Sequence, residues 1–93
     1  MAITSDVIVH SKVGLHARPA ALFVKTASGF SSRITIENLT RGMKPVNAKS
    51  ILSVLSAGVR MDDQIRITAD GADEEAAIAA LADLVHSNFG ETE

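Results

Sequence analysis

A histidine and an arginine lie two residues apart in the run Val13-Gly14-Leu15-His16-Ala17-Arg18-Pro19-Ala20-Ala21. These residue types suit phosphoryl chemistry. An imidazole is a nucleophile near neutral pH, and a guanidinium binds phosphoryl oxygens bidentately. Pro19 brings a φ near the helical value and lacks an N–H, so it fits the first turn of a helix. Gly14 permits a tight turn just before it. A helix N-terminus presents unpaired N–H groups and the positive end of the macrodipole, a setting that favours anions. The run therefore predicts a His16 that carries a phosphoryl group, with Arg18 beside it. His10 and His86 lack comparable neighbours and read as surface or satisfied side chains.

The flanking elements can be read from periodicity. Residues 3–10 alternate, with Ile3, Val7 and Val9 on one face, and predict a strand. Residues 18–28 predict a helix whose inward stripe is Ala20, Phe23, Val24 and Ala27. Arg18, Ala21, Leu22 and Lys25 fall on its other side, which leaves Leu22 as an exposed leucine. Gly29 suits the helix C-cap, with Phe30 folding back. Residues 33–37 alternate as a strand with Ile34 and Ile36 inward. The stretch from Asn38 to Pro45, with Arg41-Gly42, reads as a hairpin loop leading to a return strand near Met43–Val46. Pro45 places that strand at a sheet edge.

Ser50 is a candidate N-cap for a short helix over 50–57 that Gly58 ends. Its apolar residues Ile51, Leu52, Val54 and Leu55 wrap nearly all the way round, more than one buried face needs. Residues 64–69 form another alternating strand, with Ile65 and Ile67 inward. Asp70-Gly71 is a turn, and Asp73 is expected to cap a last helix with Glu74 and Glu75 in its first turn. Ala77, Ile78, Leu81, Leu84 and Val85 make that helix's buried stripe, and residues 90–93 are expected to fray. Strands with one apolar face and helices with one apolar stripe specify a single α+β domain over 1–93. Its form is a two-layer open-faced sandwich, a four-stranded antiparallel sheet with three helices, two long and one short, on one face.

Composition narrows the function. The 93 residues are 46% hydrophobic but only 3% aromatic, so the core must be aliphatic, with Phe23, Phe30 and Phe89 as its bulky members. Cysteine is absent, which excludes disulfides, thiolate metal sites and cysteine nucleophiles. No apolar run approaches the roughly 20 residues needed to span a bilayer, and the start lacks a signal-peptide pattern, so a cytoplasmic location is expected. Neither metal nor cofactor is implied. Net charge is −2 but unevenly spread: residues 1–60 hold eight Lys/Arg against two Asp/Glu, and 61–93 hold one against nine. The halves either interleave on folding or leave a positive face that steers acidic partners to His16. With no Lys/Arg cluster and two aromatics in the basic half, nucleic acid is not the expected partner.

The run Gly14-Leu15-His16-Ala17-Arg18-Pro19-Ala20, with Asn47-Ala48-Lys49-Ser50-Ile51-Leu52 about thirty residues on, closely resembles the HPr family. Its members are histidine-containing phosphocarriers of the bacterial sugar phosphotransferase system, and the likeness covers nearly the whole chain. The resemblance implies that His16 takes phosphate on Nδ1 from enzyme I and passes it to an enzyme IIA, while Arg18 helps hold the group. It implies that Ser50 is the serine modified by an HPr kinase/phosphorylase, which would also bring in a catabolite-control transcription factor. Ala17, Leu22, Lys25, Ile51, Leu52 and Leu55 match the family's partner-docking positions, and a monomer is expected.

Two positions depart from the pattern. Val13 replaces a residue that is often small and polar, so it supplies no hydroxyl to His16, and the 37–46 hairpin is about three residues longer than usual. A carrier of this kind is a stoichiometric intermediate in phosphoryl transfer rather than a stand-alone enzyme. It must hold phosphate loosely, since tight uniform binding would slow the next transfer. Two other readings share these residues: a carrier in a nitrogen-related or dihydroxyacetone-kinase phosphorelay, and a regulatory binding protein acting through Ser50.

Overall fold

The computed structural model describes residues 2–90. The chain runs β1 (Ile3–Ile8), α1 (Ala17–Ser28), β2 (Arg33–Asn38), β3 (Val46–Asn47), α2 (Ile51–Ser56), β4 (Gln64–Asp70) and α3 (Glu74–His86). A short 3₁₀ turn, Asn88–Gly90, follows α3. The four strands form one antiparallel sheet in the order β1-β4-β2-β3.

Alternation decides which side of the sheet is dry. Ile3, Ala69 and Ile34 share one cross-strand row, Ser5, Ile67, Ile36 and Val46 a second, and Val7, Ile65 and Asn38 a third. These rows face the helices, and Ile34, Ile36, Ile65, Ile67 and Ala69 are fully or almost fully buried. The helices complete the core with Ala20, Phe23 and Ala27 from α1, Val54 from α2, and Ala77, Leu81 and Val85 from α3. The opposite face is polar. Thr4, Thr68 and Thr35 align there, and in the next row Arg66 bonds Asp6 through Nε at 2.8 Å and through Nη2 at 3.0 Å. This bidentate pair holds the Asp6 carboxyl below its usual range.

Several expectations are corrected. Phe30, Val24 and Leu22 are half-buried, packed at the margin of the core rather than fully inside or outside it. Gly29 caps α1 at φ −76°, so its left-handed freedom is unused. The return strand shrinks from Met43–Val46 to Val46–Asn47, because residues 39–45 close on themselves instead. In that loop Met43 N–H donates to the Asn38 carbonyl, and Gly42 N–H to that of Leu39. Pro45 has no N–H for a ladder and stands beside the edge strand. The ladder continues past β3 through Ala48 N–H to the Ile34 carbonyl at 3.0 Å.

Asp73 sits at the N-cap of α3, but its carboxylate makes no bond to that helix. It crosses to residues 31 and 32, accepting from Ser31 N–H at 2.8 Å, Ser32 N–H at 2.9 Å and the Ser32 hydroxyl. Glu74 reaches back into the turn before α3, accepting from Gly71 N–H at 3.0 Å. Of the residues expected to fray, Gly90 ends the 3₁₀ turn and 91–93 lie outside the described residues.

Candidate functional site

β1 ends at Ile8, yet the chain stays tied to β4's leading turn, with Val9 N–H donating to the Asp63 carbonyl and Asp62 N–H to the Val9 carbonyl. Residues 11–14 then turn, closed by Gly14 N–H on the Ser11 carbonyl at 2.9 Å. Gly14 has φ +60°, and a Cβ there would collide with the Val59 carbonyl and lie 2.7 Å from the Arg60 Cα. Glycine is thus required both for its conformation and for the close backbone approach. Leu15, 3% exposed, drops its side chain into the core while its N–H donates to Val59 O at 3.1 Å. A buried leucine and a backbone bond therefore anchor the residue just before the histidine.

His16 is the N-cap of α1, with φ −77° and ψ −170°. Its carbonyl accepts from Ala20 N–H at 2.9 Å, but its side chain makes no capping bond and is exposed. Ala17 and Arg18 are exposed beside it, and Pro19 is buried in the first turn. No acidic residue occupies that turn. First-turn amides have no acceptor within a helix, so the helix start is left electropositive beside the imidazole. The arrangement can hold a compact anion against the ring while leaving its outer side open.

α1 packs against α2. On α2, Leu52 is 77% exposed, and Ile51 and Leu55 are also exposed, whereas Val54 is fully buried. Only one side of the short helix serves the core, and the rest of its apolar surface faces outward. Leu22 is half-buried and Lys25 exposed on α1. Ser50 is half-buried and acts as the N-cap of α2, its Oγ accepting from Ser53 N–H at 3.3 Å. Val13 is 56% exposed. His10 lies with its Nδ1 3.3 Å from the Asp62 carboxylate on the surface, and His86 is exposed in the last turn of α3.

The charge halves partly interleave. Arg41 pairs with Asp63 at 3.2 Å and Arg66 with Asp6 at 2.8 Å, each across the two halves. Among the described residues, no group of three or more His, Asp or Glu gathers as a metal site, and no helix is long and apolar enough to cross a membrane. Sequence reading passed over Val59. Its role follows from a backbone carbonyl, which no side-chain pattern marks.

A family model described as "PTS HPr component phosphorylation site" matches residues 3–87. The chain belongs to the PTS-HPr family. A solved structure of HPr-C-His from Thermoanaerobacter tengcongensis is 49% identical, with a TM-score of 0.91 over 98% of this chain and 99% of that one. The phosphocarrier protein HPr from Bacillus anthracis is 45% identical, with a TM-score of 0.83 over 90% and 96%. The multiphosphoryl transfer protein of Escherichia coli O157:H7 is 38% identical over 96% of this chain. The chain spans only about a quarter of the length of that relative. The expected HPr architecture, a four-stranded antiparallel open sheet with three helices, is the one found.

Proposed function

We propose that this HPr-family chain is a phosphocarrier that accepts a phosphoryl group on His16 from phospho-enzyme I and delivers it to an enzyme IIA. The observation that carries this reading is the exposed His16 side chain at the start of α1, uncommitted to capping and followed by Arg18. In the accepting step a P–N bond forms to a His16 ring nitrogen, Nδ1 by family resemblance, while the bond between phosphorus and enzyme I breaks. In the delivery step that P–N bond breaks as phosphorus bonds to the acceptor side chain of the enzyme IIA, and the imidazole is regenerated. First-turn amides and Arg18 offset the phosphoryl charge, while the exposed ring lets a second protein approach in line.

Ala17, Leu22, Lys25 and the outward side of α2 form the docking surface in this reading, supported by the exposed apolar residues Ile51, Leu52 and Leu55 next to α1. The protein would act as a monomeric single domain in the cytoplasm. Ser50 is a second, regulatory site for an HPr kinase/phosphorylase, and its phosphorylated form would be read by a catabolite-control transcription factor. Its position at the first turn of α2, beside those apolar residues, supports this role.

The main reading is tested by incubating the protein with phosphoenolpyruvate, Mg²⁺ and enzyme I of the same organism. An acid-labile phosphate on the parent, lost in His16→Ala, is expected. Its persistence in the variant would overturn the assignment.

A further inference from the structure

A carboxylate and a carboxamide are buried where the core would otherwise be apolar. Asn38 is fully buried at the inward end of β2, and Asp63 is 4% exposed in the turn before β4. Three donors converge on Asp63 Oδ2: Arg60 N–H at 2.9 Å, Asn38 Nδ2 at 3.2 Å and Arg41 Nε at 3.2 Å. The same Asn38 amide nitrogen donates to the Ala57 carbonyl at 3.0 Å, and the Asn38 Oδ1 accepts from Arg41 N–H. Asp63 N–H also donates back to the Arg60 carbonyl, closing a turn in which Asp62 takes φ +69°. One polar cluster therefore pins residues 57–60 at both ends.

Between the two pins lies Val59, whose carbonyl takes Leu15 N–H and whose backbone meets Gly14 face to face. The same turn holds the other end of the His16 loop, through Val9 and residues 62–63. We infer that Asp63, acting with Asn38, is the positioning residue for His16, fixing the 57–60 segment on which the histidine's loop is seated. The inference rests on His16 being the transfer residue. Burying a carboxylate is costly unless it is fully hydrogen-bonded, and a well-packed apolar residue can replace a buried ion pair without loss of stability. What such a cluster adds is geometry, and transfer to a nucleophile is sensitive to displacements of about 1 Å. The turn also couples the long 38–45 hairpin to the His16 loop through Arg41.

The test compares the parent, Asp63→Asn and the core control Ile34→Val, which trims a buried methyl two inward-facing rows along β2 from Asn38. Two quantities are measured: kcat and KM for phosphoryl transfer from phospho-enzyme I, and hydrogen exchange of the Leu15 amide. In Asp63→Asn, kcat should fall about tenfold with KM within about twofold, because the docking residues are untouched. Leu15 exchange should speed up by about tenfold or more while the Ile67 amide stays protected. The control should show neither effect. A kcat within about twofold of the parent, or unchanged Leu15 protection, overturns the inference.

Should Asp63→Asn fail to fold, Arg41→Gln removes one of the three donors and leaves the carboxylate. Both readouts should then shift about two- to threefold, and no shift in either overturns the inference. Leu15 exchange needs no phosphoryl donor. An unphosphorylated parent refutes the carrier reading alone, whereas a competent parent with an unaltered variant refutes the positioning alone.

Discussion

At the N-cap of α1 a serine, threonine, asparagine or aspartate would turn its side chain back onto the helix amides, for about 1 kcal/mol. His16 occupies that position without such a bond, so its ring is not tied back onto the helix. Its neighbours supply the order that a cap would have provided: Leu15 is buried, Pro19 is buried, and Gly14 lies against Val59. Gly14→Ala should therefore be severe. A methyl group forces an L-residue into φ +60° and drives Cβ into the Val59 carbonyl, so a loss of at least about 2 kcal/mol is expected. Urea unfolding of parent and variant checks it, and a loss below about 0.5 kcal/mol would show that the turn relaxes at little cost. The glycine was legible as a turn residue, but its collision partner lies 45 positions away along the chain.

At the level of elements, α2 divides its residues between two tasks. Val54 points into the core, and Ile51, Leu52 and Leu55 do not, which accounts for an apolar pattern wider than burial needs. Ser50 holds the helix start by accepting from Ser53 N–H. A phosphoryl group or an aspartate at that position still accepts from helix amides, so the fold should survive. The added charge would instead be felt by a partner docked on the adjacent apolar residues. Ser50→Asp is expected to keep its unfolding free energy within about 0.5 kcal/mol of the parent while accepting phosphate from phospho-enzyme I several-fold more slowly. Equal transfer rates would remove the regulatory role from Ser50. Helix and strand identities were readable because side chains repeat with the backbone's own period. β3 was not readable at its true position, because its extent depends on how the preceding loop closes on Asn38.

Across the whole molecule, Asp73 joins the start of α3 to the junction between α1 and β2. The Ser32 hydroxyl and the Ser31 and Ser32 amides hold its carboxyl down from 3.8 to about 2. A carboxyl depressed in the folded state contributes stability that is complete above its unfolded value and disappears as pH falls through the folded one. The parent should thus lose stability between about pH 4 and pH 2. Asp63 adds in the same sense: burial pushes its carboxyl up, but bonds from Arg60, Asn38 and Arg41 together with Arg41's charge bring it below the usual value. In urea unfolding at pH 6, 4 and 2, Asp73→Asn should be less stable than the parent at pH 6, with the gap closing by pH 2. A gap of constant size would show that the carboxylate's charge is not what the serines hold.

The sequence by itself determined the histidine at the start of α1, the alternating strands, the two long helices, the Ser50 cap and the α+β class. Each of these follows from neighbours within about four positions, where backbone geometry sets which side chains share a face. Only the tertiary structure decided what depends on chain segments meeting from far apart. It buried Asn38 at the inward end of β2, sent the Asp73 carboxylate across to Ser31 and Ser32, and set Val59 beneath Gly14. The histidine was visible from its own neighbours. The floor that holds it is made of backbone carbonyls and a buried carboxylate, whose partners are chosen by packing rather than by local pattern.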